Sequence, residues 1–251
     1  LGRFIWYILR LVIILGISYM ILFPFFTKIV VAFSSTADIT DNTVMYIPRQ
    51  GSTYFIERAS MRMDYWASFF TTAGLSLVVA VLQLIVASVT GYGFARFKFK
   101  GRELLFVLVL LTLMIPSQSI QLPLFIQFSK MRILNTILPL TILSAVGLGL
   151  KSGLYIYLMR QFFRGLPKEL ENSAYIDGAG FLRTFVSIML PNAMNMMITV
   201  FLFAFTWQWT DTTYNSMFMP NMNLLANMAT NVAQGLEDAQ QIAAINDTAC
   251  L

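Results

Sequence analysis

The chain has 251 residues, 57% of them hydrophobic and only 12% charged, with a mean hydropathy of +0.70 and a formal net charge of +5. A soluble domain of this size needs more charge to cover its surface, so the composition indicates a membrane protein, long enough for about five or six spans. The absence of histidine excludes His-based metal sites and His general-base catalysis, and the single cysteine, Cys250, excludes an intrachain disulfide or a multi-cysteine metal site.

The first apolar run covers 4–33 and outlasts a signal peptide, so it is expected to be retained as a span, kinked at Pro24. Residues 34–66 are mixed in polarity and read as an external segment with interfacial aromatics. A second span over 67–95 carries Gly74, Ala80, Ala87, Ser88, Gly91 and Gly93, small residues that let helices approach closely. The basic loop 96–102 follows, then a third span over 103–121 expected to bend or break at Pro116, and a short amphipathic return over 122–137. A fourth span is expected over 138–162, a polar loop over 164–183, a fifth span over 184–209 and an external segment over 210–244. The ending "IAAINDTACL" reads as the start of a sixth span continuing after residue 251. The expected fold class is all-α, a polytopic helical bundle forming a single transmembrane domain over 1–251.

Charge sets the orientation. Arg3, Arg10, Arg96, Lys98, Lys100, Arg102, Arg160, Arg164, Lys168 and Arg183 fall on one side, with only Glu103, Glu169, Glu171 and Asp177 against them. That side is read as cytoplasmic and includes the N-terminus. The positive balance is thereby assigned to membrane topology, and no nucleic-acid partner is expected.

The loop "ELENSAYIDGAGFLRTFVSIMLP" (169–191) is a polar interruption between apolar runs. Pro167 suits a first helical position, Glu169 and Glu171 suit the first turn, and Gly178 suits a left-handed helix end. The pattern predicts a short cytoplasmic helix, a sharp bend and re-entry, with Pro191 early in the returning span.

These residues resemble the EAA loop of permease subunits of binding-protein-dependent ABC importers. That pattern is E-A-A, three residues, G, nine residues, I, one residue, L-P. Asn172, Ser173 and Ala174 take the first three places, Gly178 the glycine, and Ile188, Leu190 and Pro191 the last three. Asn172 and Ser173 depart from the usual Glu and Ala, and Glu171 supplies an acid next door. The carbohydrate-uptake form is matched at Leu166, Pro167, Lys168, Glu169, Leu170, Glu171, Ala174, Asp177, Gly178 and Ala179. "GYGFARFKFKGR" (91–102) and "LMRQFFRGLPKEL" (158–170) are also similar to the family, so the resemblance covers about residues 10–250, closest to the second permease subunit of maltose-type transporters.

The resemblance implies a fold of the type I ABC importer permease kind in the bacterial inner membrane. It implies a second homologous permease subunit, two cytoplasmic ATPase subunits that bind ATP and Mg, an extracytoplasmic solute-binding protein and a sugar substrate. It also implies an ATPase-coupling role for Glu171, Asn172, Ser173, Ala174, Asp177, Gly178, Ala179 and Pro191. Permeases for peptides or phosphorylated polyols remain the alternative, with an ATP-independent secondary transporter behind them. The chain itself holds no G-x-x-x-x-G-K-[ST] loop, no cofactor site and no convergent nucleophile and base, so it is not expected to be an enzyme.

Two groups are candidates for the substrate path. In "FTWQWTDTTYN" (205–215), Trp207, Trp209 and Tyr214 can stack on sugar rings, and Gln208, Asp211 and Asn215 can bond hydroxyls; the same residues also fit an aromatic belt at the outer interface. Lys151 lies in the fourth apolar run, where it either faces the pathway or, if the span begins later near Ser152, sits at the outer interface; Gly147, Gly149 and Gly153 allow an irregular helix there. The fifteen methionines are scattered and read as gap fillers, with no metal implied.

Overall fold

The structure is a computed structural model and describes residues 2–35, 38 and 47–231. The readings that fall on 232–251, the expected start of a sixth span and Cys250, lie outside the described residues, as does most of 36–46. The chain divides into two compact units, residues 1–65 and 66–251.

In the first unit, α1 (Gly2–Ala32) is one unbroken apolar helix that runs through Pro24. Its apolar window is long enough to cross a membrane, and none of that window is buried within the chain. The chain then turns back. Ser34 pairs with Gly51 in an isolated antiparallel bridge, and the Ser52 N–H donates to Phe33 O at 2.8 Å. The backbone N–H of Gln50 donates to Asp38 Oδ2 at 3.0 Å. The short helix α2 (Tyr54–Arg62) follows, with Glu57 in its first turn and Arg62 in its last, as the helix dipole favours.

The second unit begins with α3 (Tyr65–Arg96), long and apolar enough to span. It is followed by α4 (Arg102–Leu111), α5 (Ser117–Lys130), α6 (Leu138–Ala145) and α7 (Ser152–Gly165). Next come α8 (Glu169–Ile176), α9 (Phe181–Asn192), α10 (Met194–Thr210) and α11 (Thr213–Phe218). One core packs α3, α7, α9 and α10 through Ala80, Tyr92, Met159, Phe163, Met189 and Val200. A second packs α3, α5, α6 and α11 through Val79, Phe128, Leu140, Leu143 and Phe218. Close packing of α3 on α7 depends on Gly91: a Cβ there would lie 2.7 Å from Met159 Cβ and 2.9 Å from the Arg160 backbone N.

Three expected spans are interrupted. The third stops at Leu111, and Pro116 is extended (ψ 128°) at the cap of α5. Helix α5 then runs through Pro123 to Lys130, so the return expected over 122–137 is largely one helix that begins earlier. The fourth is cut between α6 and α7. Gly147 takes φ +77°, its N–H meets Ser144 O, and the Leu148 N–H reaches Leu143 O at 2.8 Å, the Schellman pattern that ends a helix.

The fifth is bent by 78° between α9 and α10. Pro191 has no N–H to give, and a π turn at Phe185–Met189 precedes it. Asn192 Nδ2 takes up the carbonyl of Ile188 at 2.7 Å. Proline and a π turn are recognised causes of sharp kinks. By length and composition, two described helices can cross a membrane, or three if the bent pair counts as one span, against the five expected from the sequence.

Candidate functional site

Helix α8 is two turns long and stands between α7 and α9. It starts at Glu169, so Pro167 precedes it by two residues and does not take the expected first helical position. It ends in the same way as α6: Gly178 has φ +77°, its N–H meets Tyr175 O at 3.1 Å, and the Ala179 N–H reaches Ala174 O at 2.9 Å. The two orphan carbonyls are satisfied and the chain reverses into α9.

The helix has two faces. Glu171 and Ala174, one turn apart, point inward and are 8% and 3% exposed. Asn172, Ser173, Tyr175, Ile176 and Asp177 are exposed, and Ile176 is exposed by 86%. The carboxylate of Glu171 is therefore occupied inside the chain, not presented to a partner. Tyr92 Oη donates to its Oε1 at 2.6 Å, and Arg96 Nε lies 3.4 Å from its Oε2. That second contact is an ion pair by proximity, with the Nε–H not aligned as a hydrogen bond. Arg96 Nη2 also donates to Leu166 O at 2.8 Å, fixing the start of the loop.

Rings close the base of the loop. Tyr92 stacks on Phe181 with centroids 5.5 Å apart and approaches Phe163 and Phe185 at 5.3 and 4.8 Å. Tyr92 and Arg96 were not singled out as site residues from sequence. The available signal was their i, i+4 spacing, which puts both on one face of a helix. Pro191, grouped with the loop by its motif, lies exposed beside the bend between α9 and α10.

A second ion pair lies nearby. Arg160, 3% exposed, reaches Glu103 Oε2 at 2.7 Å and sits 3.7 Å over the Phe106 ring. It was read from sequence as a topology cation, and in the structure it fastens α7 to α4.

The expected substrate-path residues separate into two kinds. Lys151, at φ +60° before α7, is exposed and holds its ammonium 5.2 Å from the ring of Trp207, itself 47% exposed. Trp209 packs against Phe205 and Phe69 at 5.6 and 5.5 Å. The polar partners proposed for sugar hydroxyls are used internally. Gln208 Nε2 donates to Asn215 Oδ1 at 3.1 Å, and both residues are buried. Asp211 accepts the backbone N–H of Asn215 at 3.0 Å, and buried Tyr214 stacks on Phe218. A cavity of about 580 Å³ opens where the third and fourth spans are broken, lined by Pro116, Gln118, Leu148, Lys151, Ser152 and Tyr214 among others. No cluster of metal-ligating side chains occurs among the described residues.

The described residues combine helices long and apolar enough to cross a membrane with a short polar helix between interrupted apolar runs. Residues 84–245 match the family described as the binding-protein-dependent transport system inner membrane component, and the chain belongs to that family. It is similar to the arabinooligosaccharides transport system permease protein AraQ of Halalkalibacterium halodurans, 32% identical over 70% of this chain and 62% of the relative. It is also similar to the lactose transport system permease protein LacG of Rhizobium radiobacter, 28% identical over 77% of this chain and 68% of the relative. Across three of the curated relatives the match spans 47 to 62% of their length. The fold is shared with a solved bacterial ABC transporter involved in the import of the acidic polysaccharide alginate, with a TM-score of 0.77 and 18% identity over 93% of this chain and 80% of that one.

Proposed function

We propose that the chain is the transmembrane subunit of an ATP-driven importer for a sugar or oligosaccharide delivered by an extracytoplasmic binding protein. Family membership supports the binding-protein-dependent part. The sugar class is supported by similarity to proteins named for arabinooligosaccharides, lactose and diacetylchitobiose transport. On this reading both units belong to one multi-pass domain of the bacterial inner membrane, with the N-terminus and α8 on the cytoplasmic side. The partners are a second permease subunit and two ATPase subunits, which hold ATP and Mg. ATP-driven closure of the ATPases moves α8 and switches the permease pair between inward- and outward-facing states, a rigid-body change between two packed arrangements.

The observation that carries this reading is the exposed face of α8: Asn172, Ser173, Ile176 and Asp177 lie outside the packed core on a helix whose other face is anchored. Ala174 is buried and unsuited to a probe. A lone cysteine is therefore placed at Ser173 in a Cys250→Ser background, with the neighbouring transport genes co-expressed. Crosslinking to an ATPase-sized soluble subunit is expected. Stable insertion with no ATPase bound or crosslinked would remove the coupling role and leave an ATP-independent transporter as the better reading.

A further inference from the structure

Helix α8 has eight residues, far below the length at which an isolated helix holds itself in water. Its position is set by what it touches. The backbone joins it to the bundle through two short connections, 166–168 and 177–180, the second turning on the left-handed Gly178. Beyond this tether, α8 packs on the start of α9 and buries Ala174. The side-chain link to α3 is of another kind, because Tyr92 and Glu171 are 79 residues apart in sequence.

That link is buried at both ends: Tyr92 is 1% exposed, and the Arg96 and Glu171 side chains are 8% and 11% exposed. A charged pair withdrawn this far from water is stable only where its geometry is held, and removing one member strands the other. The carboxylate uses one oxygen on each partner, Oε1 on Tyr92 and Oε2 near Arg96, while Arg96 also binds Leu166 O. Three points of the loop base are thus tied to the last turns of α3. Helix α3 is the longest described helix of its unit and packs in both of its cores.

We infer that Glu171, Tyr92 and Arg96 form a clamp that makes α8 and the adjoining end of α3 move as one body. Glu171 is then a positioning residue that acts through α3, not a contact with the ATPase. Displacement of α8 by an ATPase subunit is delivered sideways into α3 as well as along the chain into α9. Without the clamp, α8 rocks on its two connections and part of that displacement is lost. The inference rests on α8 being the coupling helix.

The test uses the whole transporter, permease pair and ATPases together, in lipid nanodiscs. Spin labels on cysteines at Lys98, two residues beyond the end of α3, and Glu169, both exposed, report the separation of the chain at the α3 end from α8 in a Cys250→Ser background. It is measured without nucleotide and with Mg-ATP and vanadate. With the clamp intact, the separation is expected to be the same in both states. In Glu171→Leu it is expected to change between states by about 2 Å or more, the scale of interface helix shifts. Glu171→Gln, whose amide oxygen still accepts from Tyr92, is expected to fall between. Adding Tyr92→Phe to Glu171→Leu is expected to change nothing further, because both remove one shared interaction.

A separation that already changes with the clamp intact overturns the inference, as does one that stays fixed in Glu171→Leu, or effects of the two substitutions that add. If Glu171→Leu does not insert, Tyr92→Phe carries the test: it deletes one hydroxyl and keeps the ring contacts, and a smaller change of the same sign is expected. Co-purification of the ATPase separates the two failures. Loss of the ATPase from the parent protein refutes the coupling reading itself, whereas a bound ATPase with no dependence on residue 171 refutes the clamp alone.

Discussion

At the scale of single residues, Gln208, Asp211 and Asn215, which sequence offers as ligands, are spent on holding the chain together. Asp211 shows this most directly. From sequence it reads as a sugar ligand or as part of an outer interfacial belt, but its carboxylate accepts the backbone N–H groups that open α11. Burial lifts its carboxyl above the ordinary carboxylate range, and the N–H groups of Asn215, Tyr214 and Thr213 pull the other way without cancelling the effect. A folded-state value raised above the unfolded one means that stability from this group is fully present below the unfolded value, about 3.9, and is lost as the pH rises through the folded one. Asp211→Asn keeps an acceptor for the cap and removes the buried charge. It is expected to raise the thermal midpoint of the purified protein at pH 7 by about 2 °C. The gain should shrink towards zero as the pH approaches about 4. Thermal unfolding followed by tryptophan fluorescence at both pH values checks this. An equal shift at both would show that the charge is not the cause. Glu171 and Arg160 carry the same lesson. Their types and spacing mark them as polar residues near a membrane surface, but which side of the helix each one faces depends on partners 79 and 57 residues away in sequence.

At the scale of elements, legibility follows how local the cause is. Helices α3 and α8 appear close to where the sequence puts them, because apolar length and the Gly178 stop are local signals. Of the breaks in the other spans, the one at Pro116 and the later start of α7 at Ser152 carry local signals, whereas their exact geometry does not. The break after α6 rests on Gly147 adopting a left-handed turn, in a stretch whose glycines mark irregularity without fixing where the turn falls. The 78° bend combines Pro191 with a π turn that hydropathy does not register. The small-residue reading of α3 was sound for only some of its residues, since which glycines matter depends on what lies opposite. Gly91 faces the backbone of α7, where an added Cβ would meet Arg160 N at 2.9 Å, whereas the nearest atom to a Cβ at Gly93 is Phe97 Cδ2 at 3.8 Å. Gly91→Ala must therefore push two backbones apart and is expected to cost about 1–3 kcal/mol, the usual range for overpacking. Gly93→Ala should be close to neutral. Denaturation of the two variants side by side in the same detergent reads the difference. Equal stability would mean that α3 and α7 are not held at the distance described.

At the scale of the whole molecule, the question is which exposed apolar surface belongs to lipid and which to protein. Exposed Leu, Ile and Phe along α1 and the outer face of α3 are what a span presents to acyl chains. The apolar residues around α8 are different, because they flank a polar helix: Ile176 is exposed by 86%, Leu182 by 69% and Tyr175 by 47%, with Asn172, Ser173 and Asp177 interleaved. On the side read as cytoplasmic, such a patch faces water unless something covers it, and exposed apolar patches rimmed by polar residues mark protein contacts. Full burial of an Ile side chain contributes about 1.5–3 kcal/mol. Its loss corresponds to about 10- to 140-fold in affinity. Ile176→Asp also forces a carboxylate into the contact, so ATPase recovery on affinity purification of the permease is expected to fall by at least about ten-fold. The thermal midpoint of the permease alone should not move, since residue 176 buries almost nothing within the chain. Those two readouts together isolate a surface role from a folding one. Full ATPase recovery with Ile176→Asp would mean that the loop tip lies outside the interface. A fall in both recovery and midpoint would mean that Ile176 supports the fold in a way its exposure does not show.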